Sequence, residues 1–68
     1  MKMYVVMEWF NDNNELIKAF ADRDKAVECA KDRAKYVRGT VEGTKNNEDY
    51  YICKNNYVVT VEPVEFEK

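Results

Sequence analysis

The sequence predicts an α+β fold, a two-layer ββαββ sandwich in which one helix packs on one face of an antiparallel sheet. Three observations predict it: two segments rich in β-branched and aromatic residues precede a stretch with helical periodicity, two more follow it, and turn-forming residues separate them. The chain has 68 residues, which is enough for one small domain. We therefore expect a single two-layer domain over residues 1–68.

The first hairpin is predicted from strands at 3–10 and 16–20, because both segments are rich in side chains that favour extended structure. The polar segment between them supplies Asn and Asp, which tolerate the left-handed conformation of tight turns. A three-residue loop at 12–14 would pair Glu8 with Lys18 in a favourable cross-strand ion pair. In that register one side of the hairpin carries Tyr4, Val6, Glu8, Phe10, Leu16, Lys18 and Phe20. The other side carries Met3, Val5, Met7, Trp9, Ile17, Ala19 and Ala21.

A helix is predicted over residues 23–38, where apolar residues recur at helical spacing. Asp22 is a suitable N-cap and Gly39 is a natural stop. Basic residues are concentrated in the second half of the segment, which suits the helix dipole. The apolar stripe consists of Ala26, Val27, Ala30, Ala34 and Val37. Its small alanines would let the helix lie close to a sheet.

The connection at 39–47 is polar, contains glycine and carries no motif, so we expect it to be mobile. A second hairpin is predicted from strands at 49–54 and 57–62, joined by a two-residue Asn-Asn turn. Pro63 is expected to end the regular strand or to force an edge position. The register places Tyr50, Ile52, Val59 and Val61 on the core side. The opposite side carries Asp49, Tyr51, Cys53, Val58, Thr60 and Glu62.

Three segments of the first half form a recognisable pattern. A Tyr-Val-Val strand at 4–6 is followed by an Asn-Asn-Glu turn at 13–15, and Ala-Phe-Ala-Asp-Arg-Asp-Lys-Ala at 19–26 leads into a capped helix. This pattern resembles a group of small phage and bacterial ββα-hairpin proteins, over roughly the first 35 residues. The resemblance implies the fold of this part and carries no catalytic residues.

The composition argues against an enzyme. The chain has no His and no Ser, so the commonest general base and metal ligand and the usual hydroxyl nucleophile are missing. Gly39 and Gly43 form no phosphate-binding loop. Cys29 and Cys53 lack motif spacing and are expected to be reduced thiols in a cytoplasmic protein. We expect no catalytic, cofactor-binding or metal site, no signal peptide and no membrane span.

The predicted sheet carries more apolar side chains than one helix can cover. A contiguous apolar patch usually marks an interaction site, and aromatic residues are enriched at binding hot spots. The residues expected on this partner-binding open face are Tyr4, Val6, Phe10, Leu16, Lys18, Tyr51 and Val58. Two alternatives stay open: the C-terminal residues Val64 and Phe66 fold over this face, or two copies of the chain pair through it.

These observations favour a non-catalytic protein-binding module. With the resemblance to phage proteins, they lead to the hypothesis of a phage-type accessory protein that binds and inhibits or redirects a host protein in the host cytoplasm. Anti-defence proteins, including anti-CRISPR proteins, are one such class. The alternative is a homodimeric structural or assembly protein. A nucleic-acid-binding module comes third, because a net charge of −2 provides no basic footprint, although aromatic residues on an open sheet can stack on bases.

Charge is separated along the sequence. Basic residues are concentrated in the predicted helix, whereas Glu62, Glu65 and Glu67 give the last hairpin an acidic edge. Charges on an edge strand discourage aggregation, and this general effect is enough to account for the pattern. The functional alternative is that this acidic edge docks on a basic surface of a host protein.

Overall fold

A computed structural model describes residues 1–45 and 48–66 of the chain. The strands in this part are β1 (Lys2–Phe10), β2 (Asn13–Phe20), β3 (Val41–Gly43), β4 (Tyr50–Lys54) and β5 (Tyr57–Glu65), and the helix is α1 (Arg23–Ala34). The strands form one antiparallel sheet in the order β2-β1-β5-β4-β3. The α+β class is confirmed, with five strands in the described residues where the sequence predicts four.

The two hairpins join side by side through β1 and β5, which are the longest strands. Their pairing runs from Lys2 opposite Glu65 to Phe10 opposite Tyr57. This pairing brings both hairpin turns to the same end of the sheet, where the Asn11 amide donates to the Asn56 carbonyl at 2.9 Å. The centre of the sheet is therefore formed by strands that are distant in sequence.

The second hairpin has the predicted register, with Tyr57 opposite Lys54 and Val59 opposite Ile52. Its turn places Asn55 in the left-handed region at φ 49°. Asn adopts this conformation more readily than most residues, because its short polar side chain bonds locally. The Asn-Asn pair thus fixes a two-residue turn, and the turn fixes which side chains share a face.

The predicted register of the first hairpin is wrong. The turn has two residues instead of three, because Asn11 takes the left-handed conformation at φ 56° and Phe10 pairs with Asn13. A β-bulge at Ile17 then shifts the pairing once more. As a result, Glu8 lies opposite Glu15, and Lys18 lies opposite Val6. The expected ion pair between Glu8 and Lys18 does not form.

The helix begins as predicted and ends earlier. Asp22 is the N-cap, and its Oδ1 accepts a hydrogen bond from the Asp24 amide at 2.9 Å. The last helical residue is Ala34, four residues before the predicted end, and Gly39 has a left-handed φ of 77° in the turn that follows. The predicted stripe is confirmed, since its three alanines are buried and its two valines pack against the core.

The core lies between α1 and the sheet. Val6, Val59 and Val61 are fully buried there, at the middle of the two central strands. Ile52 and Tyr50 extend this core across β4. Because the alanines of α1 add little bulk, the helix backbone lies directly over these larger side chains. Within residues 1–45 and 48–66, only this side of the sheet is covered.

A short strand that the sequence does not predict lies within the 39–47 connection. β3 pairs with β4, with Val41 opposite Cys53 and Gly43 opposite Tyr51. The Tyr50 hydroxyl donates to the Glu42 carboxylate and ties the two strands together on the helix side. Three residues are too few to show the alternation of polar and apolar side chains that marks a strand, and glycine is uncommon within strands. The sequence therefore does not reveal β3.

β5 is longer than predicted and continues through Pro63, which lies opposite Tyr4. The β4 partners of β5 end with Tyr50 opposite Val61. Beyond that point no described residue of β4 pairs with β5, and a proline is tolerated where no ladder hydrogen bond is required of it.

Candidate docking surface

One side of the sheet faces away from α1, and we call it the open face. Successive side chains of a strand point to opposite sides, so residues that alternate with the buried Val6, Ile52, Val59 and Val61 lie on the open face. The two central strands contribute Met3, Val5, Met7, Trp9, Val58, Thr60, Glu62 and Val64. The outer strands contribute Asn14, Leu16, Ala19, Tyr51, Cys53, Val41 and Gly43.

The open face is apolar at its centre and at both edges. Val5 is only 7% exposed although no helix covers it, because flanking side chains on β2 and β5 shield it. Leu16 at one edge and Val41 at the other are 58% and 63% exposed. Trp9 and Tyr51 are half-buried. The face is therefore largely apolar, with exposed residues at its margins and with polar side chains at Asn14, Thr60 and Glu62.

Three of the residues predicted for the open face lie on the helix side instead. Val6 is fully buried beneath α1, and Tyr4 packs against the same core. Lys18 lies opposite Val6, with its Nζ 5.2 Å from the centre of the Phe20 ring. The prediction of an open-face position is wrong for all three, because α1 covers the side of β1 that carries Val6, and the three residues share that side in the predicted and in the observed register.

Phe10 is exposed as expected, but it is also on the helix side. It lies opposite Tyr57, and the two rings meet edge to face with centroids 6.5 Å apart. Its exposed fraction is 57%, because α1 does not reach this end of the sheet. Leu16, Tyr51 and Val58 lie on the open face as predicted.

Sequence reasoning assigned Val5, Met7 and Trp9 to the wrong side. The alternating positions of β1 include Glu8, and a charge is typical of a solvent-facing side. In the structure, Glu8 is held at the margin of the helix side, where Arg33 Nη2 lies 2.9 Å from one carboxylate oxygen and the Tyr57 hydroxyl donates to the other at 3.0 Å. A carboxylate that has hydrogen-bond partners can stay partly buried, so the presence of Glu8 does not mark a solvent-facing side of β1.

The Glu8 contacts also change the acidity of their partners. Burial, and then the hydrogen bond to Glu8, raises the pKa of Tyr57 to about 12. The hydrogen bond to Glu8 likewise raises the pKa of Arg33. These groups are therefore in their ordinary charge states near neutral pH, and the network stabilises the fold without supplying a titrating group.

Up to residue 66, the C-terminal segment does not cover the open face. The Phe66 amide donates to the Met1 carbonyl, and the Met1 amino group donates to the Phe66 carbonyl, both at 2.8 Å. Val64 lies opposite Met3 in the same ladder. The segment thus continues beside β1 within the sheet, and the expectation that Val64 and Phe66 fold over the face is wrong for this segment.

The predicted acidic edge lies on β5 beyond Val61, where no described residue of β4 pairs with this strand. Glu62 and Glu65 lie on β5, which is the central strand, whereas β2 and β3 form the two edges. Glu65 accepts from the Met1 amino group at 3.0 Å. Glu62 is exposed and lies opposite Val5 on the open face. Glu67 lies outside the described residues.

A shallow depression lies at the Glu62 end of the open face. Its open-face lining residues are Lys45, Asp49, Tyr51, Thr60 and Glu62. The Thr60 Oγ1 is buried there and has no hydrogen-bond partner within residues 1–45 and 48–66. Glu62 makes no ion pair with any described residue. This depression is the polar part of an otherwise apolar surface.

The two cysteines are free thiols that lie on opposite sides of the sheet. Cys29 packs against the core from α1, whereas Cys53 is on the open face. Among the described residues, no three His, Cys, Asp or Glu side chains are grouped as metal ligands would be.

The one helix in the described ranges, α1, is too short and too polar to cross a membrane.

Comparison of the chain with protein-family models, with curated protein sequences and with solved structures returns no significant match.

Proposed function

We propose that this chain is a non-catalytic protein-binding module and that the open face is its docking surface. The observation that carries the proposal is an apolar sheet face that no part of residues 1–45 and 48–66 covers. An exposed contiguous apolar surface of this kind usually marks an interaction site. Trp9 and Tyr51, which lie near its middle, are of the residue types that dominate binding hot spots.

The size of the open face is suited to a small interface. The longest strands have nine residues and are roughly 30 Å long. The five strands side by side are roughly 20 Å wide. The footprint is on the order of 500 Å², compared with about 800 Å² per partner in a standard interface. The margins, including Leu16 and Val41, would therefore contribute to a stable complex.

The partner in this proposal is a host protein, which the chain inhibits or redirects in the host cytoplasm. The support is the resemblance of residues 4–26 to small phage and bacterial hairpin proteins, together with the small size of the domain. Anti-defence proteins, anti-CRISPR proteins among them, are one class of such accessory proteins.

A homodimer that serves a structural or assembly role is the second candidate function. The observation that favours it is the nearly uncharged character of the open face, which would let two copies pack together without repulsion between many like charges. Nucleic-acid binding has less support. Aromatic rings are present on the face, but the strand positions described there carry no Lys or Arg to contact phosphates.

The proposal is tested by capture of partners from a nuclease-treated bacterial lysate, with two matched variants. Leu16 and Phe10 are almost equally exposed, at 58% and 57%, but lie on opposite sides of the sheet. We expect Leu16→Lys to lose a partner that the parent and Phe10→Lys both retain. If Leu16→Lys retains every partner of the parent, the open face is not the docking surface. A parent that captures only its own copies would support the homodimer instead.

A further inference from the structure

The open face carries one charged side chain at its described strand positions, and that side chain is Glu62. It projects from the central strand opposite Val5, so a partner that covers the apolar centre of the face also covers this carboxylate. Glu62 is exposed in the free protein, and water solvates its charge. Docking would remove that water, and a carboxylate buried without a partner is strongly unfavourable.

The described part of the chain does not supply a cation to Glu62. Lys45 lines the same depression, but it forms no ion pair with Glu62, and the ion pairs of the described residues involve other carboxylates. The neighbouring Thr60 Oγ1, which lies on the same strand and face, has no hydrogen-bond partner among these residues either. Glu62 therefore offers exposed oxygens that can accept hydrogen bonds from a partner, whereas the Thr60 Oγ1 is buried.

A second copy of the chain is a poor match to this surface. The open face of the copy would present the same apolar residues and another Glu62, with no Lys or Arg at its described strand positions. Face-to-face pairing would then desolvate two carboxylates, and the strand positions of the facing copy supply neither with a cation; Lys45 at the margin of the depression makes no ion pair with Glu62. A partner with a basic side chain at this point would form charge-assisted hydrogen bonds with Glu62.

We propose that the partner docked on the open face presents a Lys or Arg side chain to Glu62 within an otherwise apolar contact, and that this partner is not a second copy of the chain. The inference rests on the proposed function, because it names the chemistry of the partner that the docking surface accepts. The basic residue gives specificity, since a purely apolar partner leaves Glu62 unpaired.

The test is a selection of binders from a library of randomised amphipathic helical peptides, carried out in parallel against the parent protein and against Glu62→Gln. Glu62 is exposed, so this isosteric change should leave the fold intact. Leu16→Lys identifies the binders that use the open face, and Phe10→Lys is the matched control on the opposite side. The dissociation constant of each binder is then measured for all four proteins.

We expect the open-face binders selected on the parent to share one Lys or Arg and to bind Glu62→Gln about tenfold more weakly. Binders selected on Glu62→Gln should lack that basic residue. Open-face binders that have no basic residue and bind both proteins equally would overturn the inference about Glu62. They would still support the open face as the docking surface. If no binder is sensitive to Leu16→Lys, the docking surface itself is wrong, and the inference is overturned with it.

Self-association provides a second measurement, by sedimentation equilibrium of the parent and of Glu62→Val. We expect the parent to be a monomer and the valine variant, whose face has no charge at its described strand positions, to dimerise at high concentration. A parent dimer that Leu16→Lys dissociates would overturn the exclusion of a second copy.

Discussion

Tyr57 donates a hydrogen bond to Glu8 at 3.0 Å, across the central pair of strands and beneath the end of α1. The other carboxylate oxygen of Glu8 lies 2.9 Å from Arg33 of the helix. One carboxylate thus links the N-terminal hairpin, the C-terminal hairpin and α1. This link allows a charged residue to occupy the helix side, and it leaves Met7 and Trp9 for the open face.

Removal of the Tyr57 hydroxyl should destabilise the fold. In Tyr57→Phe the ring still packs against Phe10, but Glu8 loses one of its two partners, so we expect a loss of about 1 kcal/mol in the free energy of unfolding. Urea denaturation measures this change. Tyr51→Phe is the matched control, because no described residue bonds to the Tyr51 hydroxyl. Equal effects of the two variants would contradict the proposed role of the Glu8 contact.

Stability should fall at alkaline pH. The ordinary tyrosine pKa is 10.0, and the pKa of Tyr57 in the folded protein is raised to about 12. The folded state therefore holds this proton more tightly than the unfolded state, so the contribution is fully present below pH 10 and is lost as the pH rises towards 12. Tyr50, whose pKa is also raised by burial and by Glu42, acts in the same direction.

The measurement for this prediction is the free energy of unfolding as a function of pH for the parent and for Tyr57→Phe. We expect a smaller decrease above pH 10 in the variant, because only Tyr50 remains to contribute. Identical slopes would show that Tyr57 titrates in the folded protein as it does in the unfolded chain.

The assignment of the two faces is tested by two alanine variants. Val6 is fully buried beneath α1, whereas Leu16 is 58% exposed on the opposite side. Val6→Ala should lose about 2 kcal/mol of stability, since it removes two buried methyl groups from the core. Leu16→Ala should change stability by less than about 0.5 kcal/mol. The reverse order in urea denaturation would contradict the assignment of Val6 to the core and of Leu16 to the open face.

Gly39 provides a test of the turn that ends the helix region. Its φ of 77° is in the left-handed region, so a side chain there is strained. Gly39→Ala should lose about 1 kcal/mol, and Gly39→Asn should lose less because Asn tolerates this conformation. Thermal unfolding of the three proteins measures the difference. If both variants were as stable as the parent, the backbone at this turn would differ from the structure.

Sequence reasoning succeeded where a single local signal fixes the geometry. Asp22 caps the helix as predicted, and the Asn55 turn sets the register of the second hairpin. The alanine stripe identifies the side of α1 that packs on the sheet. The cap and the turn act within a few residues of themselves, and the alanine stripe shows its apolar side by helical spacing alone, so no knowledge of the rest of the fold is needed.

The sequence-based predictions are wrong where contacts between residues that are distant in the sequence determine the structure. The side that β1 presents to the helix depends on Arg33, which neutralises Glu8 from another element. The side on which Leu16 lies depends on the two-residue turn of the first hairpin. β3 depends on pairing with β4, where the Tyr51 ring lies across Gly43. The sequence predicts that one sheet face is apolar and not covered by the helix, but only three of the seven residues predicted for this face lie on it.

The central claim, that a protein partner docks on the open face, is tested most directly by the methyl NMR signals of the methionines. Met3 and Met7 lie on this face, whereas Ala26, Ala30 and Ala34 lie beneath α1 on the other side. With the partner captured by the parent protein added to a methyl-labelled sample, we predict large shifts at Met3 and Met7 and small shifts at the three alanines. Unchanged signals at Met3 and Met7 in a saturated complex would contradict the claim.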